Sequence, residues 1–237
     1  VEGAAKKGFH RVAWDLRYPS PDAISMIEPP TPMWDDSPKA LMVAPGKYSA
    51  ALFQQVNGVV KALSQQIEFE VVPLRKGALE GSTPAEVAGF WRQYENAVRS
   101  HSAIQISLIN TLTRAERMKK VLDHSTTAAG SFDNRLTEVR MELLKIDQEL
   151  NGEKSKVEPG EKTKPTIVGR LFSLQIGIDH STYGPTTNHK NALQLIKEQL
   201  NSTQSQLEMS QGKLSQLAKD LVKAGAPWME GEALPKN

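Results

Sequence analysis

Asp35 and Asp36 follow Trp34 in the stretch PMWDDSP. An indole beside two carboxylates is a set that carbohydrate chemistry uses. The ring can stack on a sugar face, and two acids about 5 to 10 Å apart across a cleft can cut a glycosidic bond. Trp34, Asp35 and Asp36 are therefore the candidate ligand-binding residues, for an accessory carbohydrate-binding module or for part of a glycoside hydrolase with its site at a domain junction. Turn formation explains the same residues, because Pro, Asp and Ser pre-set or cap tight turns.

The histidines offer less. His10, His101, His124, His180 and His189 are scattered, with no HExxH and no paired spacing suited to zinc. Asp179, His180 and His189 come nearest to a ligand set, and a polar loop between helices accounts for them equally well. His101 falls on an apolar seam, where a part-buried, hydrogen-bonded imidazole is expected. The absence of cysteine excludes disulfides, thiolate nucleophiles and cysteine-ligated metals. There is no GxSxG, no phosphate-cradling glycine loop and no dinucleotide fingerprint. No catalytic, cofactor-binding or metal residue is assigned, and no cofactor is expected. Lys and Arg total 29 against 27 for Asp and Glu, so the net charge of +2 gives no reason for nucleic acid as a partner. No run of about 18 apolar residues appears, so no membrane span is expected.

Two periodicities divide the 237 residues. Up to about residue 74 the period is two. Val12, Trp14 and Leu16 alternate with Arg11, Ala13, Asp15 and Arg17, which reads as a strand with an apolar and a polar face. Trp14 is then the expected core aromatic, and Asp15 with Arg17 a cross-strand pair or a binding face. Residues 47–56 predict a strand, Asn57-Gly58 a tight hairpin turn, residues 59–63 its return, and Ile67, Phe69 and Val71 a last strand. That is fewer than the roughly seven strands of a sandwich. The missing strands lie outside this chain, or something else completes the sheet. Together with its start at Val1, this suggests a fragment or processed product.

From about residue 75 apolar residues step by three and four. Thr83, Pro84 and Glu86 form a capping box. The seam Val87, Phe90, Tyr94, Ala97, His101, Ile104, Leu108, Thr111, Ala115, Met118 and Leu122 predicts one long helix. Similar seams predict helices over about 84–123, 132–151, 167–179 and 188–224, the third capped by Thr166 and the last stopped at Gly225. Residues 152–165 read as a solvated loop. The expected fold is α+β: a partial Ig-like antiparallel β-sandwich over 1–74, then an antiparallel helical bundle with two long helices over 75–237, the boundary falling within 74–83.

Four stretches in order carry a resemblance: GFHRVAWDLRYPSP, the run from Val43 to Leu74, PTTNHKNAL, and AGAPWMEGEALP. Together they resemble the C-terminal region of large exported bacterial proteins that carry a sortilin-like, Asp-box β-propeller upstream and are often labelled glycosyl hydrolases. The resemblance implies an Ig-like sandwich akin to that of flagellar hook-capping proteins, followed by a helical region, in a secreted or periplasmic protein. It implies an upstream β-propeller of the same parent chain as partner, with a protein or the cell envelope as a further one. The hydrolase label would belong to the propeller, and no catalytic residue carries over. The expected role is a non-catalytic structural or interaction module.

Overall fold

In a computed structural model, residues 1–26, 40–74, 80–125, 130–153, 164–179 and 183–234 are described. Among them are four helices: α1 (Pro84–Asp123), α2 (Gly130–Asn151), α3 (Ile167–Asp179) and α4 (Thr187–Lys223). Four short strands precede them: β1 (Gly46–Ala50), β2 (Phe53–Val56), β3 (Val59–Ala62) and β4 (Ile67–Val71).

The helices start and stop where the side chains dictate. The Thr83 hydroxyl accepts the Glu86 N–H, and the Glu86 carboxylate accepts the Thr83 N–H at 2.8 Å. Two orphan donors of the first turn are thereby satisfied. Thr166 caps α3 by accepting the Gly169 N–H at 3.0 Å. Thr186 and His189 repeat the reciprocal arrangement at α4, with His189 Nδ1 accepting the Thr186 N–H. At the far end of α4, the Ala226 N–H reaches Leu221 O and the Gly225 N–H reaches Val222 O. This double closure needs a left-handed residue, and Gly225 supplies it at φ 80°.

The predicted seams are buried almost residue for residue. Leu108, Leu143, Ile196 and Leu214 are fully enclosed, and one core runs through all four helices. α4 packs on α1, α2 and α3, and α2 packs on α1 and α3. The directions differ from the expected antiparallel pairing of the long helices. Gln93 bonds Lys197, Gln211 bonds Ser107 and Thr111, and Arg114 bonds Ser215, all at sequence separations of 100 to 104. A constant separation means that α1 and α4 run parallel. The Ser82 N–H on Tyr183 O ties their leading ends together.

The shorter helices run the other way. Lys119 meets Asp133 near the start of α2, and Gln105 meets Asn151 at its end. Further along, Tyr94 donates to Leu171 O in α3. Two shorter helices, one after the other, thus lie against both long ones, and His101 falls at the level where α2 gives way to α3.

The pleated half departs further from expectation. β1 pairs antiparallel with β4, and β2 with β3. Together they are one long hairpin with Asn57 (φ 49°) and Gly58 (φ 81°) at its tip, the positive angles that a two-residue turn demands. The predicted single strand over 47–56 is broken. Only residues 51 and 52 separate β1 from β2, whereas residues 63–66 separate β3 from β4. The excess forms a bulge. The Ser64 hydroxyl holds it by accepting the Leu52 N–H at 2.9 Å.

The predicted strand over 11–17 is absent. Leu16 sits at φ 60°, and among the described residues the region forms one isolated antiparallel bridge, Arg17 to Met42, in place of a ladder. The cause is local. The Asp15 carboxylate accepts the Arg17 N–H at 3.0 Å, an Asx-type turn that competes with a ladder. Arg17 turns its guanidinium to Ala40 O at 2.6 Å rather than to Asp15. The chain is therefore mixed, with helices and two small antiparallel sheets, and no second sheet faces the hairpin among the described residues.

Candidate functional site

Trp34, Asp35 and Asp36 lie outside the described residues, as does His180. Among the described residues no three His, Asp or Glu side chains converge on a metal position. His189 is committed to the α4 cap.

A groove of about 570 Å³ with partly polar walls runs between α1 and α4. Ala23 and Ile24 run along its edge as a strap, fastened by the Ala23 N–H to Ser102 Oγ of α1 at 3.0 Å. Most of its polar side chains bond one another or a neighbouring segment. Gln211 donates to Ser107 and Thr111 Oγ atoms at 2.8 and 3.0 Å. Arg114 donates to Ser215 and lies 2.6 Å from the Glu232 carboxylate in the segment after α4, whose Met229 joins the core. The lining contains no imidazole and no carboxylate. Chemically, this is a hydrogen-bonded seam that sets the level of α1 against α4.

Beside the strap, His101 departs from expectation. Its Nε2 is shielded from solvent and has no hydrogen-bond partner. Burial lowers its pKa below the ordinary imidazole value, and nearby Asp22 opposes the shift. Asp22 accepts a hydrogen bond from Ser20 rather than from the ring. Asp22, His101 and Ser102 are neighbours without forming a proton relay.

The hairpin is the surface that stands open. Opposite residues in an antiparallel pair share a face. Gly46, Tyr48 and Ala50 therefore lie with Val71, Phe69 and Ile67, and Lys47 and Ser49 lie with Glu70 and Glu68. Trp14 covers part of the apolar face. Its ring meets Tyr48 at 5.8 Å and Phe69 at 6.1 Å, both edge-on, and its Nε1 donates to Arg17 O. Trp14 is thus a half-buried lid on one sheet, not the centre of a sandwich. Tyr48 donates to Ala44 O. Desolvation, followed by the hydrogen bond with Tyr18, raises its pKa.

Beyond that cluster the strands are largely uncovered among the described residues. Ile67 is 69% exposed, Val59 70% and Val60 61%, and every residue of β2 and β3 is exposed. Each strand has one partner, so both outer edges are unpaired among the described residues. Alternation in IEFEV marks this surface in the sequence, but alternation is silent about whether a strand has one neighbour or two. No family model, curated protein or solved structure matches the chain.

Proposed function

We propose that this chain is a non-catalytic structural and interaction module whose pleated half is completed by a polypeptide segment from outside it. The observation that carries the reading is the hairpin, with apolar side chains exposed on its faces and both edges unpaired among the described residues. A lone two-stranded hairpin is marginal in water, and open edges invite pairing. The helical half is different in kind: its seams are spent on each other, and hydrogen bonds between α1 and α4 line its groove. The module holds the hairpin on a packed helical support.

The motif resemblance supplies a source for the completing strands. It implies a module at the C-terminus of a secreted or periplasmic bacterial protein, after a β-propeller, with an Ig-like sandwich formed jointly with the preceding segment. Amide hydrogen exchange tests this. In this chain the β1–β4 amides should exchange near the unprotected rate while Leu108 and Ile196 exchange slowly. In a chain extended upstream along its gene, the hairpin amides should become protected. Equal hairpin protection in the two chains would refute the reading.

A further inference from the structure

The outer edge of β4 has a definite chemical character. Along Ile67–Val71 the side chains alternate between two faces, with Ile67, Phe69 and Val71 on one and Glu68 and Glu70 on the other. β1 answers these charges only in part. Lys47 lies opposite Glu70, whereas Glu68 faces Ser49. Neither glutamate has an ion-pair partner within 4.0 Å among the described residues. A strand laid along this edge would meet an apolar row on one face and two carboxylates on the other.

We propose that the free edge of β4 takes an extended strand in which apolar and basic residues alternate, its apolar side chains beside Ile67, Phe69 and Val71 and its cations beside Glu68 and Glu70. The inference rests on the reading that a polypeptide segment from outside this chain completes the hairpin, and it names the chemistry of that segment. Main-chain hydrogen bonds provide the attachment, and the apolar row and the carboxylates on opposite faces provide the selection. Pairs of opposite charge directly across a ladder stabilise it, and like charges there destabilise it. The same rule disfavours a second copy of this chain. Antiparallel pairing of two β4 edges centred on Phe69 sets Glu68 of each copy against Glu70 of the other, and shifting by two residues sets a glutamate against itself. β1 is the poorer edge, since Gly46 contributes no side chain and Lys47 is its only charge.

The test uses the full chain, isotope-labelled, with three blocked heptapeptides: valine alternating with lysine, with glutamate and with glutamine. The lysine peptide should bind saturably, shift and protect the amides of residues 67–71, and bind about tenfold or more tighter than the glutamate peptide. Rising salt should narrow that preference. In the Glu68→Lys/Glu70→Lys variant, with an unchanged helical spectrum, the preference should reverse. If the glutamine and lysine peptides bind equally well, completion by a strand stands and the charge assignment falls. If no peptide binds and the hairpin amides of the free chain are unprotected, the β4 assignment is overturned. If no peptide binds and those amides are as protected as the helical core, the completion reading falls with it. Protection that grows with protein concentration alone would assign the edge to a second copy and overturn the proposal.

Discussion

Replacing His101 by leucine separates what burial costs from what titration costs. The ring lies on the α1 seam between buried Ala97 and Ile104, and its shielded Nε2 has no hydrogen-bond partner among the described residues. A shielded polar atom left unpaired costs about 1 to 3 kcal/mol, and a leucine of similar reach adds apolar contact. His101→Leu should therefore stabilise the helical half by about 1 to 2 kcal/mol at pH 8, raising the melting temperature by roughly 3 to 6 °C for a chain of this size.

The difference should widen in acid. Burial lowers the folded pKa of His101, so below the ordinary imidazole value of about 6.5 the unfolded chain binds the proton more readily than the folded one. Wild-type stability is then fully present above that value and is lost as pH falls through the window down to the folded pKa. Leucine removes this loss. Asp22 faces the ring and moderates the effect. Urea unfolding followed by helical circular dichroism, in steps from pH 8 to pH 5, measures both parts. A gap between wild type and His101→Leu that is the same at every pH would refute the titration argument. A destabilised leucine variant at pH 8 would refute the burial argument.

Leu108→Ala removes a side chain with no exposed surface; it should cost about 3 to 4 kcal/mol in the same urea assay, given the cavity it leaves. Thr83→Ala deletes the acceptor of the capping box. It should cost about 1 kcal/mol, with hydrogen exchange faster in the first turn of α1 and unchanged near Leu122. Glu142 accepts from Lys213 and from Ser210 and has a lowered pKa, chiefly through the Lys213 bond. Glu142→Gln should cost about 0.5 kcal/mol at neutral pH in low salt. That difference should vanish as pH falls through the carboxylate range, because the wild-type contribution is lost once Glu142 is protonated.

The helical half was legible because burial is periodic. Every residue assigned to the seam of α2 from Leu136 to Leu150 is buried, and so are Leu193 to Leu221 along α4. Direction was not legible, since a stripe of leucines reads the same up or down. The parallel course of α1 and α4 depends on α2 and α3, of 22 and 13 residues, running in series. Asn57-Gly58 announced the hairpin, because few other pairs accept two positive φ angles. The bulge went unseen because it depends on one hydroxyl, that of Ser64. Residues 11–17 misled because alternation outweighed the tendency of Asp15 to bond the backbone two residues on. Of the candidate site, the alternation of Glu68 and Glu70 was visible, but the openness of their edge needed coordinates. Trp34, Asp35 and Asp36 fall outside the described residues.

The parallel course of the two long helices makes the helical half a strut. In an up-and-down hairpin of helices, entry and exit share one end. Here the chain enters α1 at Thr83, beside the start of α4, and leaves α4 at Gly225, level with the far end of α1. Those points stand about 55 Å apart at 1.5 Å of rise per residue. A body touching the Thr83 end and a body touching the Gly225 end would be held at about that distance. Tension between them would run along helix axes rather than peel one helix from another.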